Sequence, residues 1–299
     1  LSHAHIQIEK IEAVVGRGGL IQPIKSGIYI INEQMKKDLQ KGILGEHASN
    51  LGGLIADDIA SSLPAAKAYI ADPVVVDEMK KVAKIAGHPK FKRLSIFHAL
   101  NQKAAARKAA LKLGKPYEEC RLIVAHLGGG ITVGSHAGGR VIDVNNGLDG
   151  DGPMAAERSG TVPAGQLVSF VLDSGDGGKE ARRRITGGGG LAGYCGTSDL
   201  REVIARMNGG DRESGLAFRS MAYQIAKEIS MHGAVLNGNV DMIIITGGMA
   251  FEERLTSEIA GRIAWIAPVE IIPGEEELTA LAENALEALR GNRIIKEYR

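Results

Sequence analysis

The sequence predicts an α/β protein. Three observations carry that prediction. Short apolar runs of strand length alternate with longer stretches of helical periodicity. The 40 glycines among 299 residues cluster at the ends of the apolar runs instead of repeating at a fixed period, which excludes collagen and implies tight turns and backbone-lined loops. A glycine-broken segment, residues 121–145, reads as two strands joined in a hairpin and followed by a third.

Taken in order, Ile6–Val15 has strand character and runs into Gly16-Arg17-Gly18-Gly19. Helices are expected over Tyr29–Gln40 and Glu46–Ser61, a short strand over Lys67–Ile70, and a helix over Val74–Ala86 behind Pro73. Gln102–Leu113 is rich in alanine and lysine and strongly helical. Gly114-Lys115-Pro116 ends it, and a domain boundary is placed there. The hairpin strands are Leu122–Ala125 and Ile131–Val133, with Val141–Val144 as the third. Further helices are expected over Gln166–Leu172, over Ser198–Met207 with Ser198 or Asp199 as cap, over Ser214–Leu236, and over Leu278–Leu289. Val240–Thr246 reads as a buried strand entering Gly247-Gly248.

The bulk numbers exclude several classes. Lys plus Arg total 36 against 35 for Asp plus Glu, so charge alone implies neither a nucleic-acid nor a membrane partner. No run approaches the roughly 20 apolar residues of a membrane helix, and no signal segment opens the chain. Cys120 and Cys195 have no metal-ligand spacing, and a reduced cytoplasmic setting is the simplest expectation.

No G-x-x-x-x-G-K-[ST] segment is present, and no G-x-G-x-x-G sits between a strand and a helix. Three separate glycine loops remain, each expected to close a strand: Gly128–Gly130, Gly187–Gly190 and Gly247-Gly248. Any one of them reads as a turn. Three in order favour a nucleotide held by bare backbone N–H groups, with the nearby arginine of ERSG (157–160) adding a guanidinium matched to phosphoryl oxygens.

At these residues the chain resembles a known family. AHLGGG, RVIDVNN, DGDGP with ERSG, GTSDLRE, TGGMA and IIPGEEE occur in the order found in butyrate kinases, a branch of the acetate kinase family within the actin-like ATPase superfamily. GRGGL, EHASNLG, DPVVVDEM and SIFHALNQKA extend the likeness from about Val14 to Arg290. The resemblance implies two actin-like, ribonuclease H-like domains with a cleft between them. Residues 1–116 with 276–299 would form the acyl-substrate domain and 117–275 the nucleotide-binding domain.

It also implies a reaction: reversible transfer of the ATP γ-phosphoryl group to the carboxylate of butanoate, with Mg²⁺. Isobutyrate, propionate and acetate are the alternative acceptors, and an inactive nucleotide-binding form is a third reading. By the same resemblance Arg17 and Arg158 are catalytic arginines. Their chemical warrant is the negative charge that phosphoryl transfer spreads over three oxygens. The plainer alternative for Arg158 is an ion pair with the adjacent Glu157. Asp72 would orient the carboxylate or help hold Mg²⁺ through water. His98 would contact the transferring phosphoryl, although a histidine beside Phe97 and Leu100 also reads as a core residue. His126 would orient the phosphate loop or touch the ligand.

Gly128, Gly129 and Gly130 form that loop. Acetate kinases carry asparagine where Gly129 stands, so backbone must serve here. Asp199, Leu200 and Arg201 match the adenosine-contacting segment, where an aspartate can accept from ribose hydroxyls and an arginine can stack on the base. Asp199 and Arg201 equally read as a helix cap and a solvated side chain. Gly247 and Gly248 would let the nucleotide lie against the strand end. Glu276 matches a magnesium-linked glutamate, and its choice over Glu275 or Glu277 rests on the resemblance alone.

Two further expectations follow. The family's first phosphate loop, N-P-G-S-T-S-T-K, has no counterpart in a chain that opens at Leu1, so the first domain is expected to lack central strands and the 299-residue form to be a weak or dead catalyst. The partners are expected to be a nucleotide, a small carboxylic acid and further copies of the chain in a dimer or larger assembly.

Overall fold

The computed structural model describes residues 7–45 and 48–299. In chain order the elements are β1 (Ala13–Arg17), β2 (Ile28–Ile30), α1 (Glu33–Lys41), α2 (Asn50–Ser61), β3 (Lys67–Ala71), α3 (Ala99–Leu113), β4 (Arg121–Leu127), β5 (Ile131–Ala137) and β6 (Arg140–Val144). There follow α4 (Ala164–Ser174), α5 (Lys179–Thr186), α6 (Gly190–Cys195), α7 (Leu200–Asn208), α8 (Arg212–Val235), β7 (Met242–Gly247), α9 (Glu253–Ile263), β8 (Val269–Pro273), α10 (Glu277–Leu289) and β9 (Lys296–Glu297). Among the described residues no helix is long and apolar enough to cross a membrane.

The chain forms two compact units, and their division falls inside α3 and between Glu275 and Glu276. The first comprises residues 1–78, 98–104 and 276–299. Its sheet has the order β1-β3-β2-β9. β1 and β3 run parallel with Arg17 opposite Ala71, while β2 runs antiparallel to β3. α10 covers this sheet through Ala285 and Ala288 against Ile28 and Tyr69, and through Ala280 and Leu281 against Ala71 and Leu100.

The second unit comprises residues 79–97 and 105–275. Its sheet has the order β6-β5-β4-β7-β8. β4, β5 and β6 are antiparallel, whereas β4, β7 and β8 are parallel. The parallel strands are mainly apolar in their central positions, Leu122–Ala125 and Ile243–Ile245, because both faces are covered. On one face Ile123, Ala125, Ile243 and Ile245 join a core with Phe218, Met221, Ile225 and Ile229 of α8. On the other, Leu122, Val124 and Ile244 pack against Ala105, Ala106, Ala109 and Ala110 of α3.

A buried polar cluster lies within this unit. Ser135 Oγ lies 2.7 Å from His232 Nδ1, and Glu228 lies one helical turn before that histidine on α8. Burial is the main reason that His232 titrates low, at about 4, and that the Glu228 carboxyl is raised to about 7.

Several sequence expectations require correction. Val74–Ala86 is not a helix. Val75 and Val76 are fully buried, the chain there bridges to Ile24, and a single 3₁₀ turn appears only at Lys81–Lys84. Three consecutive β-branched valines resist helix, and the Ile24 partner satisfies the backbone in an extended form. Tyr29 belongs to β2; the helix waits until Glu33, where Asn32 accepts from the Met35 N–H. Ile6 lies outside the described residues, Ile8–Lys10 is a 3₁₀ turn, and the strand starts at Ala13 and includes Arg17. Glu46 and His47 also lie outside the described residues; the helix expected there runs from Asn50. The run Gly187–Gly190 closes no strand but joins α5 to α6.

Candidate active site

In open α/β sheets ligands gather at the carboxyl ends of parallel strands. Arg17 and Asp72 in the first unit, and the glycines after β4 and β7 in the second, follow that rule.

In the first unit, the parallel register of β1 and β3 sets Arg17 opposite Ala71 and so brings Asp72 into the next position. Asp72 has a left-handed backbone, φ +40°, which is costly for a residue with a side chain. Its own contacts hold it there. Ser26 Oγ and the Gly27 N–H both donate to Asp72 Oδ1, at 2.6 and 2.8 Å, and the Asp72 N–H donates to the Gly27 carbonyl. His98 immediately precedes α3, and its carbonyl accepts from the Gln102 N–H. Arg17, Asp72 and His98 line one small pocket, together with Glu277. Glu277 was not singled out from the sequence, where it is one of three adjacent acids. In the structure it forms an ion pair with Arg17 across 3.0 Å.

In the second unit a wider cavity of about 660 Å³ opens beyond the ends of β4, β7 and β8. Its walls include Gly128 and Gly129 after β4, Gly248 and Met249 after β7, and Glu275 after β8. Asp199, Leu200 and Arg201 form a further wall, with Glu157, Phe251 and Glu252. Asp199 caps α7, accepting from the Arg201 N–H, and the Arg201 guanidinium forks onto the same carboxylate at 2.7 and 3.0 Å. That fork is the main reason the Asp199 carboxyl is held down to about 2. The pair thus caps α7 and stands on the cavity wall. Leu200 is turned into the core beside Val203.

His126, Gly130 and Gly247 support these walls. His126 is fully buried on β4 with Nε2 3.2 Å from Glu275 Oε1. Gly247 exchanges backbone hydrogen bonds with Gly274, at 3.2 and 3.0 Å, tying the end of β7 to the approach to Glu275.

Arg158 lies beside the glycine loop. The Glu157 N–H donates to the Gly129 carbonyl, and Arg158 Nη1 donates to the Gly147 carbonyl. A Cβ at residue 130 would sit 1.7 Å from that Nη1, so the missing side chain is the slot that admits the guanidinium. Burial lowers the Arg158 pKa, and its Nε is buried without a hydrogen-bond partner. A buried donor left unmatched is costly. Gly190 serves the same segment from behind: a Cβ there would stand 1.9 Å from the Ala155 carbonyl oxygen. Close packing thus accounts for this glycine, and the Gly188–Gly190 stretch borders a separate cavity of about 380 Å³.

Among the described residues no three His, Cys, Asp or Glu side chains gather as a metal cage. Four carboxylates, Glu157, Asp199, Glu252 and Glu275, share the wide cavity with the single guanidinium of Arg201. A triphosphate facing that lining requires a counter-cation, and Mg²⁺ bridges phosphates while taking few protein carboxylates. The donor set fits the ion in that way. Glu276 lines neither pocket; it stands at the N-terminus of α10, where its carbonyl accepts from the Ala280 N–H.

The sequence model of the Acetokinase family matches residues 90–260, more than half of the chain. Among solved structures, Porphyromonas gingivalis acetate kinase superposes with a TM-score of 0.82 at 22% identity, over 95% of this chain and 79% of that one. Acetate kinase from Entamoeba histolytica gives 0.77 at 19% identity, over 96% and 83%. A propionate kinase from Francisella tularensis subsp. tularensis gives 0.76 at 21%, over 91% and 78%. At these identities the superpositions speak for the fold, which is that of the acetate kinases.

Proposed function

The chain belongs to the Acetokinase family, and on that premise we propose that it transfers the γ-phosphoryl group of ATP to the carboxylate of butanoate, reversibly, giving butanoyl phosphate and ADP. The observation that carries this reading is Arg158: a buried guanidinium with an unmatched N–H, slotted against the glycine loop beside a cavity large enough for a nucleotide.

In this reading the second unit binds the nucleotide. Gly128, Gly129 and Gly248 present backbone to the phosphates, while Asp199 and Arg201 face the adenosine. The first unit binds the acid, with Arg17 on the carboxylate and His98 and Asp72 beside it. A short-chain carboxylate is already ionised at neutral pH, so no general base is needed. Catalysis then reduces to in-line positioning and to neutralising charge on the equatorial oxygens, the task of Arg17 and Arg158. Bound Mg²⁺ would supply charge neutralisation to the phosphates, and the carboxylates placed to hold it or its waters are those of the cavity, Glu157, Asp199, Glu252 and Glu275; Glu276, the choice the resemblance implies, lines neither pocket.

The test is acyl phosphate formation, trapped as the hydroxamate, by the 299-residue chain with MgATP and a series of acids from acetate to isobutyrate. The proposal expects the highest kcat/KM with butanoate. Highest kcat/KM with acetate or propionate, the acids named for the solved relatives, replaces the acceptor but keeps the chemistry. ADP binding by calorimetry with no transfer to any acid contradicts the catalytic reading.

A further inference from the structure

Arg17 ends β1 on a carboxylate from the far end of the chain, with Nε 3.0 Å from Glu277 Oε2. The glutamate side chain is 12% exposed and the arginine 43%. Glu277 is the first residue of α10, where the helix dipole favours a negative charge. The helix is fixed independently of this pair, because Ala280 and Leu281 are buried against Ala71 and Leu100. The pocket that Arg17 and Glu277 share with Asp72 and His98 holds about 10 Å³, the room of one water. A four-carbon acid does not fit that space while the pair is closed.

Resting on the carboxylate-kinase reading, we propose that Glu277 is a built-in competitor for Arg17. Its carboxylate occupies the guanidinium until a substrate carboxylate takes its place, and it thereby sets the KM for the acid. The two groups are chemically alike, and a guanidinium engages one carboxylate bidentately at a given edge. Once displaced, Glu277 still presents a negative charge to the pocket, and like charges repel. Both effects weaken acid binding.

The experiment compares wild type, Glu277→Gln and Glu277→Asp. It reads KM and kcat with butanoate and ATP varied separately, and butanoate affinity by calorimetry without nucleotide. Glu277→Gln is expected to lower the butanoate KM roughly two- to five-fold, the weight of a partly exposed ion pair, and to tighten butanoate binding by the same factor. The ATP KM is expected to hold. Glu277→Asp keeps the charge but shortens the reach, and is expected to shift both readouts by less. Should the glutamine variant fail to fold, the aspartate variant decides by the same criteria. An unchanged or raised butanoate KM, or a loss that falls mainly in kcat, overturns the proposal; the latter would make Glu277 a positioning residue for Arg17. A wild-type chain that phosphorylates no acid sinks the kinase reading instead, and the calorimetric comparison still decides the role of Glu277.

Discussion

The two units differ in how they hold charge. In the first, Lys103 is almost fully buried on Glu78 at 2.8 Å, and the partly exposed Arg17 meets Glu277 at 3.0 Å. The second also holds an ion pair, Arg93 with Asp143 at 2.8 Å, but there several buried groups are shifted or left unmatched. Glu228 is raised to about 7, His232 falls to about 4, and Arg158 keeps an unpartnered Nε. The pocket of the first unit is correspondingly tight, and that of the second is wide and walled by glycine. On the proposed reading, the paired site of the first unit must be opened by the acid, whereas Arg158 stands ready beside the glycine loop of the second.

The largest effect should come from the arginines. Arg158→Ala and Arg17→Ala are each expected to lower kcat by about 10²–10³, the usual loss for a preorganised donor to transition-state charge. Nucleotide affinity, read by calorimetry with ADP, should change far less. Equal losses in both quantities would contradict the contrast between a catalytic donor and a binding wall.

Gly130→Ala sharpens the same point without removing any charge. Its new Cβ would fall 1.7 Å from Arg158 Nη1, so the guanidinium must move. A loss approaching 10² in kcat is expected from such a displacement, and an unchanged kcat would separate Arg158 from the chemistry. The matching change on the cavity wall, Asp199→Ala, should raise the ATP KM several-fold and leave most of kcat, because it frees Arg201 and uncaps α7 at some distance along the wall.

The smallest effect concerns stability against pH. The Glu228 carboxyl is raised from its ordinary 4.5 to about 7. Between those values the folded state holds a proton that the unfolded state has lost, so this group makes stability fall as pH rises. His232 is lowered from 6.5 to about 4. Over that range the unfolded state binds the extra proton, so this group makes stability rise with pH. The two slopes oppose each other from about 4.5 to 6.5, and urea unfolding should change little across that span. Glu228→Gln removes one slope, and its stability should climb steadily as pH rises from 4 to 6.5. A level profile in the variant would contradict the account of the buried pair.

Much of this architecture was legible from pattern. The β4–β5 hairpin, β7 and α8 declare themselves by period and by glycine at their ends, and Asp199 before Leu200 is a recognisable cap. Arg17, Asp72 and His98, drawn from three separate motifs, line one pocket. What was not legible depends on distant partners. Nothing in Val74–Val76 announces that Ile24 will hold it extended. The glycine at 130 reads as a phosphate loop, and its steric reason appears only when Arg158 is seen beside it. The three acids at 275–277 are indistinguishable as a string. In the structure the first meets His126, the second leads α10 and the third meets Arg17.

The central claim is that Arg158 is a preorganised donor to the transferring phosphoryl group, seated by the bare backbone at Gly130. The most direct measurement is the kcat of butanoyl phosphate formation in wild type, Arg158→Ala, Gly130→Ala and the double variant. Residues that act as one unit are strongly non-additive. The account predicts that the double variant is barely slower than Arg158→Ala alone. A double variant whose loss equals the product of the two single losses would contradict it.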